Sequence, residues 1–202
     1  MNIATPPWLP LKELCPRCQT GDSTGRHIHE PQYVLKSLFS HLNLTSSRGV
    51  FVDGGTSYDM ADGLVALGLG FTVIGIDARL HVIDTLGQRH AANITTGVLT
   101  LRHSGLSDQA GGRATVYNAL DSTSLSKAAA SRDPRGLERE KHSSHDAPLA
   151  TLDAIVPEDM PCAAIKLDIQ GHEAAALRGA SALLSRRAGL APLVIFELTE
   201  SA

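Results

Sequence analysis

Two stretches decide the fold: Gly49-Val50-Phe51-Val52-Asp53-Gly54-Gly55 and Phe71-Thr72-Val73-Ile74-Gly75-Ile76-Asp77. Each is a short apolar run ending in an acid, and the first closes on a Gly-Gly turn. Between them Met60, Leu64 and Leu67 recur at helical spacing, until Gly68-Leu69-Gly70 stops the helix. The apolar runs are continuous instead of alternating, as in strands buried on both faces. The pattern continues outward. Residues 80–92 read as a helix, Val98–Leu101 as a third strand and Ala114–Tyr117 as a fourth. Ala163–Asp168 reads as a strand, His172–Leu184 as a helix and Pro192–Glu197 as the last strand. Strands alternating with helices imply an α/β fold, a mostly parallel sheet with helices on both faces.

The rest of the chain frames that domain. Residues 1–48 read as an irregular segment plus a short helix carrying Val34, Leu35, Leu38, Phe39 and Leu42, and residues 49–202 as the main domain. Within it, residues 121–148 are rich in Ser, Ala and charge, and are expected to form an exposed mobile insertion. A chain of 202 residues with 43% hydrophobic and 19% charged residues has the material for one core. The net charge of −3, with no basic groove and few aromatics, argues against nucleic acid as partner. No apolar run approaches the roughly 20 residues of a membrane span. Three Cys, an odd number, and no visible secretory signal favour the cytoplasm.

Parallel sheets bind ligands beyond the carboxyl ends of their strands. Here those ends carry Asp53, Asp77, Asp168 and Glu197. Any one acid there is explained as a helix N-cap, but four in register point to a ligand crevice. The first turn offers Gly54 and Gly55 for close backbone approach and a helix N-terminus for an anion. It lacks the Gly-x-Gly-x-x-Gly of dinucleotide sites and the lysine of a phosphate loop. Asp77 follows Gly55 by 22 positions, a spacing at which an acid takes ribose hydroxyls. A ribose acid without phosphate contacts points to S-adenosylmethionine (SAM). Its ammonium would face Asp53, its ribose Asp77 and its carboxylate the helix N-terminus.

Thr151-Leu152-Asp153, Lys166-Leu167-Asp168-Ile169-Gln170-Gly171-His172-Glu173, Leu177-Arg178-Gly179-Ala180 and Val194-Ile195-Phe196-Glu197 together resemble the FkbM-type family of SAM-dependent methyltransferases. The turn at Asp53, the acid at Asp77 and the segment Leu106-Ser107-Asp108 are similar to the family's other landmarks. The resemblance implies a Rossmann-like class I methyltransferase sheet and methyl transfer, most often to a hydroxyl oxygen. It implies cofactor contacts from Asp53, Gly54, Gly55, Ser57, Asp77, Ser107 and Asp108. Thr56, Ser57, Asp59 and Gln170 depart from the family pattern, and a non-catalytic binding or assembly module of the same fold is the alternative. Methyltransferases of this class usually continue into a helix and an antiparallel strand pair, and with only five residues following Glu197 those elements are expected to be lacking here. The 192–197 strand is therefore expected to be a bare apolar edge through which the chain can oligomerise.

If the acceptor is a hydroxyl, a base must take its proton. Asp168 ranks first, Glu173 second and His172 third; helix-dipole complementarity alone accounts for Glu173, and Lys166 reads as packing its stem while its amine finds solvent or an acid. Sugars, lipids and small metabolites all remain open as acceptor. Cys15-x-x-Cys18 with His27 and His29 lacks the usual zinc spacing, so no metal site is expected. His142-x-x-His145 reads as a pair of solvated histidines in the insertion.

Overall fold

The computed structural model describes residues 49–118, 123–124, 144–186 and 191–196, together with several residues between 35 and 42. The chain divides into two units, Met1–Thr45 and Ser46–Ala202. In the first, Leu35 and Phe39 are buried. The zinc-like cluster at residues 15–29 lies outside the described residues.

The second unit begins with β1 (Val50–Gly54), α1 (Ala61–Gly68), β2 (Thr72–Asp77), α2 (Leu80–Arg89), α3 (Ala91–Thr95) and β3 (Leu99–His103). After β4 (Gly105–Leu106), β5 (Arg113–Asn118), β6 (Thr123–Ser124) and β7 (Ser144–Ala150) come α4 (Leu152–Ile155), β8 (Cys162–Leu167), α5 (Glu173–Arg178), α6 (Ser181–Leu184) and β9 (Leu193–Phe196). The main sheet has the order β3-β2-β1-β8-β9, every neighbouring pair parallel. This is the Rossmann-like α/β architecture expected from the apolar runs.

Burial explains the continuous runs. Val50, Val52, Ile74, Ile76, Ile165 and Leu167 share one core cluster with Leu152 of α4, Ala176 of α5 and Leu183 of α6. Phe51 points the other way by the alternation of the strand. Asp53 shares that opposite face and reaches α1, which covers it. Each large apolar side chain so buried contributes about 1.5–3 kcal/mol. Cys162 belongs to the same core, and burial pushes its thiol up to about 12, which makes it inert.

The sheet grows in two directions from β1: β2 and β3 to one side, β8 and β9 to the other. The switch point therefore lies between β1 and β8, and ligands of such sheets bind outside the carboxyl ends of the strands at this point. Their register sets Asp53 opposite Lys166 and Gly54 opposite Leu167. On the far side of β1, β2 ends at Asp77, with His103 beside it on β3.

Three expectations need correction. Of the expected mobile insertion 121–148, residues 121–122 and 125–143 lie outside the described residues, and residues 144–148 are strand. They belong to β7, which pairs antiparallel with β5 and parallel with β4 in a second sheet of order β4-β7-β5-β6. Mixed polar composition hid a strand whose buried anchors are few, chiefly Ala147 facing a sheet that also buries Val116. Next, the helix expected over 172–184 is two helices, broken at Gly179. A Cβ there would run into the Ser107 carbonyl, so glycine is set by close packing. The second piece, α6, is capped from outside its own sequence, since Asp153 accepts from the N–H groups of Ala182 and Leu183. The 80–92 helix likewise ends at Arg89, and a separate turn, α3, follows.

β9 pairs with β8 along one side, and among the described residues no strand pairs with the other. Glu197 and the residues after it lie outside the described residues. No helix among the described residues is long and apolar enough to cross a membrane.

Candidate functional site

Asp53 is buried at the end of β1. Its Oδ2 accepts from the Thr56 hydroxyl at 2.8 Å and from the Gly63 N–H at 3.2 Å. The second bond satisfies one of the free donors at the start of α1, so the carboxylate anchors that helix to the sheet. Its Oδ1 lies 3.4 Å from the Lys166 ammonium and has no hydrogen-bond partner among the described residues. The distance is short enough for charge attraction, and the orientation is poor for a hydrogen bond.

Lys166 is the hub of this crevice. Its Nζ also lies 3.6 Å from Asp62 and 3.8 Å from Asp168, and it donates to the Gly55 carbonyl at 3.3 Å. Burial alone would lower its pKa, but the carboxylates of Asp53, Asp168 and Asp62 outweigh burial and hold it above its ordinary value. Asp62 moves upward too, mainly because it is desolvated, with Asp53 adding repulsion and Lys166 opposing. One ammonium among three carboxylates leaves the crevice with excess negative charge.

The first turn is built differently from the sequence expectation. Gly55 has φ of 77°, and a Cβ there would run into the Asp168 carbonyl oxygen. Gly54 is hemmed in by Leu167 and Leu106. The glycines thus let the β1 and β8 turns pack against each other. The N–H groups of Gly55 and Thr56 both donate to the Ile76 carbonyl. At the start of α1 the Gly63 N–H is engaged by Asp53 and the Leu64 N–H by the Met60 carbonyl. Ser57, at φ 56°, donates its N–H to Asp77 Oδ2 at 3.1 Å.

Asp77 is buried, and its carboxylate is gripped by Arg79. The guanidinium binds it as a fork, Nε to Oδ1 and Nη2 to Oδ2, both at 2.9 Å. The Arg79 N–H adds a bond to Oδ1 at 2.9 Å. Burial works against the charge on Arg79, but the bonds to Asp77 prevail and its pKa is raised. The guanidinium also lies over the Tyr58 ring, 5.4 Å from its centre. Behind it, Nε2 of His103 and Nε2 of His145 approach the Ala78 carbonyl at 3.0 and 3.1 Å. A carbonyl only accepts, so both imidazoles carry a proton on Nε2. His145 is therefore a partnered residue of β7, and the reading of it as a solvated histidine does not hold; His142 lies outside the described residues.

The β8 turn carries the three candidate bases. Asp168 is the most open: its side chain is 40% exposed, Oδ1 accepts from Gln170 at 2.8 Å, and Oδ2 faces Lys166. Glu173 is buried and uses both oxygens within the turn, accepting from the N–H groups of Ile169 and Gly171 at 3.0 and 2.9 Å. That pairing supports the left-handed residues Gln170 and Gly171. His172 is half-buried, and desolvation lowers its pKa, with Glu173 and Asp108 opposing.

Asp53, Gly54, Gly55, Ser57, Asp77 and Asp168 thus gather at the ends of adjacent strands. Ser107 and Asp108 sit instead by the α5–α6 joint: the Ser107 carbonyl abuts Gly179, and Asp108 is paired with Arg178 at 2.9 Å. Arg178 holds the Asp108 carboxyl below its ordinary value. Sequence reading gave no role to Arg79, Thr56 or Asp62. Arg79 stands two residues after the strand-end acid, a position from which a long side chain folds back onto it. Among the described residues no group of three or more His, Cys, Asp and Glu is placed to hold a metal ion.

A family model described as Methyltransferase FkbM domain matches residues 55–202. That range takes in Asp77, Arg79 and the whole turn from Lys166 to Glu173, while Asp53 lies just before it. No curated protein and no solved structure matches the chain.

Proposed function

We propose, from the premise that this chain belongs to the FkbM methyltransferase family, that it moves a methyl group from SAM to a hydroxyl oxygen of a small-molecule or glycan acceptor. The observation that carries the reading is the convergence of Asp53, Asp77, Lys166 and Asp168 on neighbouring strand ends about the switch point.

The residues present fit such a cofactor. The strand ends around Lys166 carry surplus negative charge, which attracts a ligand bearing a sulfonium and an ammonium and repels one bearing phosphates. Asp53 Oδ1 is a buried acceptor without a hydrogen bond, an unusual expense that a cationic ligand reduces. Asp77 presents two acceptors in one plane, the arrangement that two ribose hydroxyls bind. Asp77 would hold the ribose. Lys166 would hold the carboxylate of the amino-acid tail, and the acids around it the ammonium.

When bound, SAM supplies a methyl group already activated on a positively charged sulfur. The protein's part is to align the acceptor oxygen, exclude water and receive the acceptor's proton. Asp168 is the best receiver, because its carboxylate is the most exposed of the three and is held only by side chains, Gln170 and Lys166, and not by the backbone of its turn. His172 comes next: with its pKa below the ordinary 6.5, the imidazole is neutral at pH 7 and able to accept. Glu173 falls to third, since its two oxygens hold the turn that presents Asp168.

Calorimetric titration of the full chain with SAM and with its demethylated product tests the cofactor. Transfer of labelled methyl to a panel of sugars, lipids and small hydroxylated metabolites tests the reaction. Micromolar binding that Asp77→Ala abolishes supports the reading, and no binding to the folded chain overturns it. One observation favours the alternative of a non-catalytic binding module: Arg79 already satisfies the acid that ribose would need. Methyl transfer to any acceptor excludes that alternative.

A further inference from the structure

We infer that Arg79 is an affinity-setting residue of the nucleoside subsite, its guanidinium occupying on Asp77 the acceptor pair that ribose hydroxyls take, so that ligand and arginine compete for one carboxylate. The inference rests on the cofactor reading above and concerns a residue to which that reading assigns nothing.

Four features of the geometry support it. The fork is bidentate and in plane, Nε on Oδ1 and Nη2 on Oδ2, so it leaves neither oxygen of Asp77 free for a diol. The pair is only partly buried: the Arg79 side chain is 17% exposed against 4% for Asp77. The arginine therefore lies on the solvent side of the acid, where an incoming ligand must pass. Asp77 also keeps two donors that do not leave with the guanidinium, the N–H groups of Ser57 and of Arg79 itself. The carboxylate thus stays held when the fork departs. Finally, Tyr58 offers the guanidinium a second partner. Tyr58 is itself tied to the end of α2, since its carbonyl accepts from Arg89 at 2.7 Å. Leaving Asp77 need not carry the charge into open solvent.

Competition of this kind lowers apparent affinity by the fraction of molecules in which the acid is free. If that fraction is near a tenth, removing the competitor tightens binding about tenfold. A residue that merely supported the fold would do the reverse: its loss would loosen the site and weaken binding.

The test is calorimetric titration of the full chain with S-adenosylhomocysteine, in the wild type, in Arg79→Ala and in Arg79→Lys. Arg79→Lys retains the charge but replaces the fork with a single ammonium, and it carries the test if the alanine variant does not fold. The expected result is binding about tenfold tighter in Arg79→Ala and several-fold tighter in Arg79→Lys. The gain should vanish when Asp77→Ala is combined with either change. A nitrogen-15 spectrum supplies a second readout: the Arg79 Nε–H signal should be distinct in the free wild type and shift on saturation. Wild-type binding that Arg79→Ala leaves unchanged or weakens overturns the inference and leaves the cofactor reading standing. Absence of binding in all the folded variants overturns both.

Discussion

Asp53 and Asp77 end adjacent strands, are both buried and look alike in sequence, yet they are held in opposite ways. Asp53 is gripped by groups that cannot leave: a hydroxyl three residues on and the third N–H of α1. Releasing them means undoing the start of that helix. Asp77 is gripped mainly by the end of a long side chain, which can depart by bond rotation and leave the backbone in place. One acid is part of the framework and the other is exchangeable. A strand-end carboxylate is thus not a ligand site by virtue of its position. What matters is whether its partners can be traded.

The largest expected effect is on stability. Asp53→Ala strands the Thr56 hydroxyl and the Gly63 N–H and removes a counter-charge from Lys166. It should cost about 3–5 kcal/mol in urea unfolding. An unfolding midpoint equal to wild type would erase the distinction between the two acids. Next comes Asp77→Ala, whose main effect should fall on binding, with about a hundredfold loss of affinity for S-adenosylhomocysteine by calorimetry. Its stability cost should be smaller than that of Asp53→Ala, because the freed guanidinium reaches solvent.

Lys166→Met leaves three carboxylates facing each other and should cost about 2 kcal/mol, discounted from a fully buried pair because solvent reaches the rim. The pH dependence has a definite sign. The folded pKa of Lys166 lies above its ordinary 10.5, so the stability it contributes is complete below 10.5 and fades as pH rises through the higher folded value. The gap between wild type and Lys166→Met should therefore stay level through neutral pH and close only in strong alkali. The smallest effect is expected at Asp62. Its folded pKa is raised from 3.8, so its charge costs stability at neutral pH. Asp62→Asn should raise the unfolding free energy by less than about 1 kcal/mol at pH 7 in urea titration, and the gain should vanish near pH 3.

The strand-end acids were legible because a buried parallel sheet leaves continuous apolar runs, and a charge at the end of one stands out. Lys166 was visible as a residue but read as a packed stem with a searching amine. Only the register of β8 against β1 shows that the amine finds three acids at once. Arg79 was missed because its role depends on a side chain folding back by two residues, which no periodicity encodes. Glu173 was read as a second-choice base, with a dipole role as the sufficient explanation. Its carboxylate instead serves the two N–H groups of its own turn, a local bond pattern that spacing alone does not distinguish from an open acid. β7 escaped because Ser144-His145-Asp146 has the composition of a loop and gains strand character only from its partner β5. What the sequence conceals here are long-range pairings and side chains that turn back on their own chain.

The Ala78 carbonyl is received by two imidazoles, one from each sheet. A peptide unit clamped from both sides cannot flip, so the backbone between Asp77 and Arg79 is fixed whether or not the acid is engaged. Opening then requires only torsions of the arginine stem, and no rearrangement of a lid. Association kinetics should accordingly be single-phase and set by diffusion and steering, with Arg79 acting on the amplitude of binding and hardly at all on its tempo.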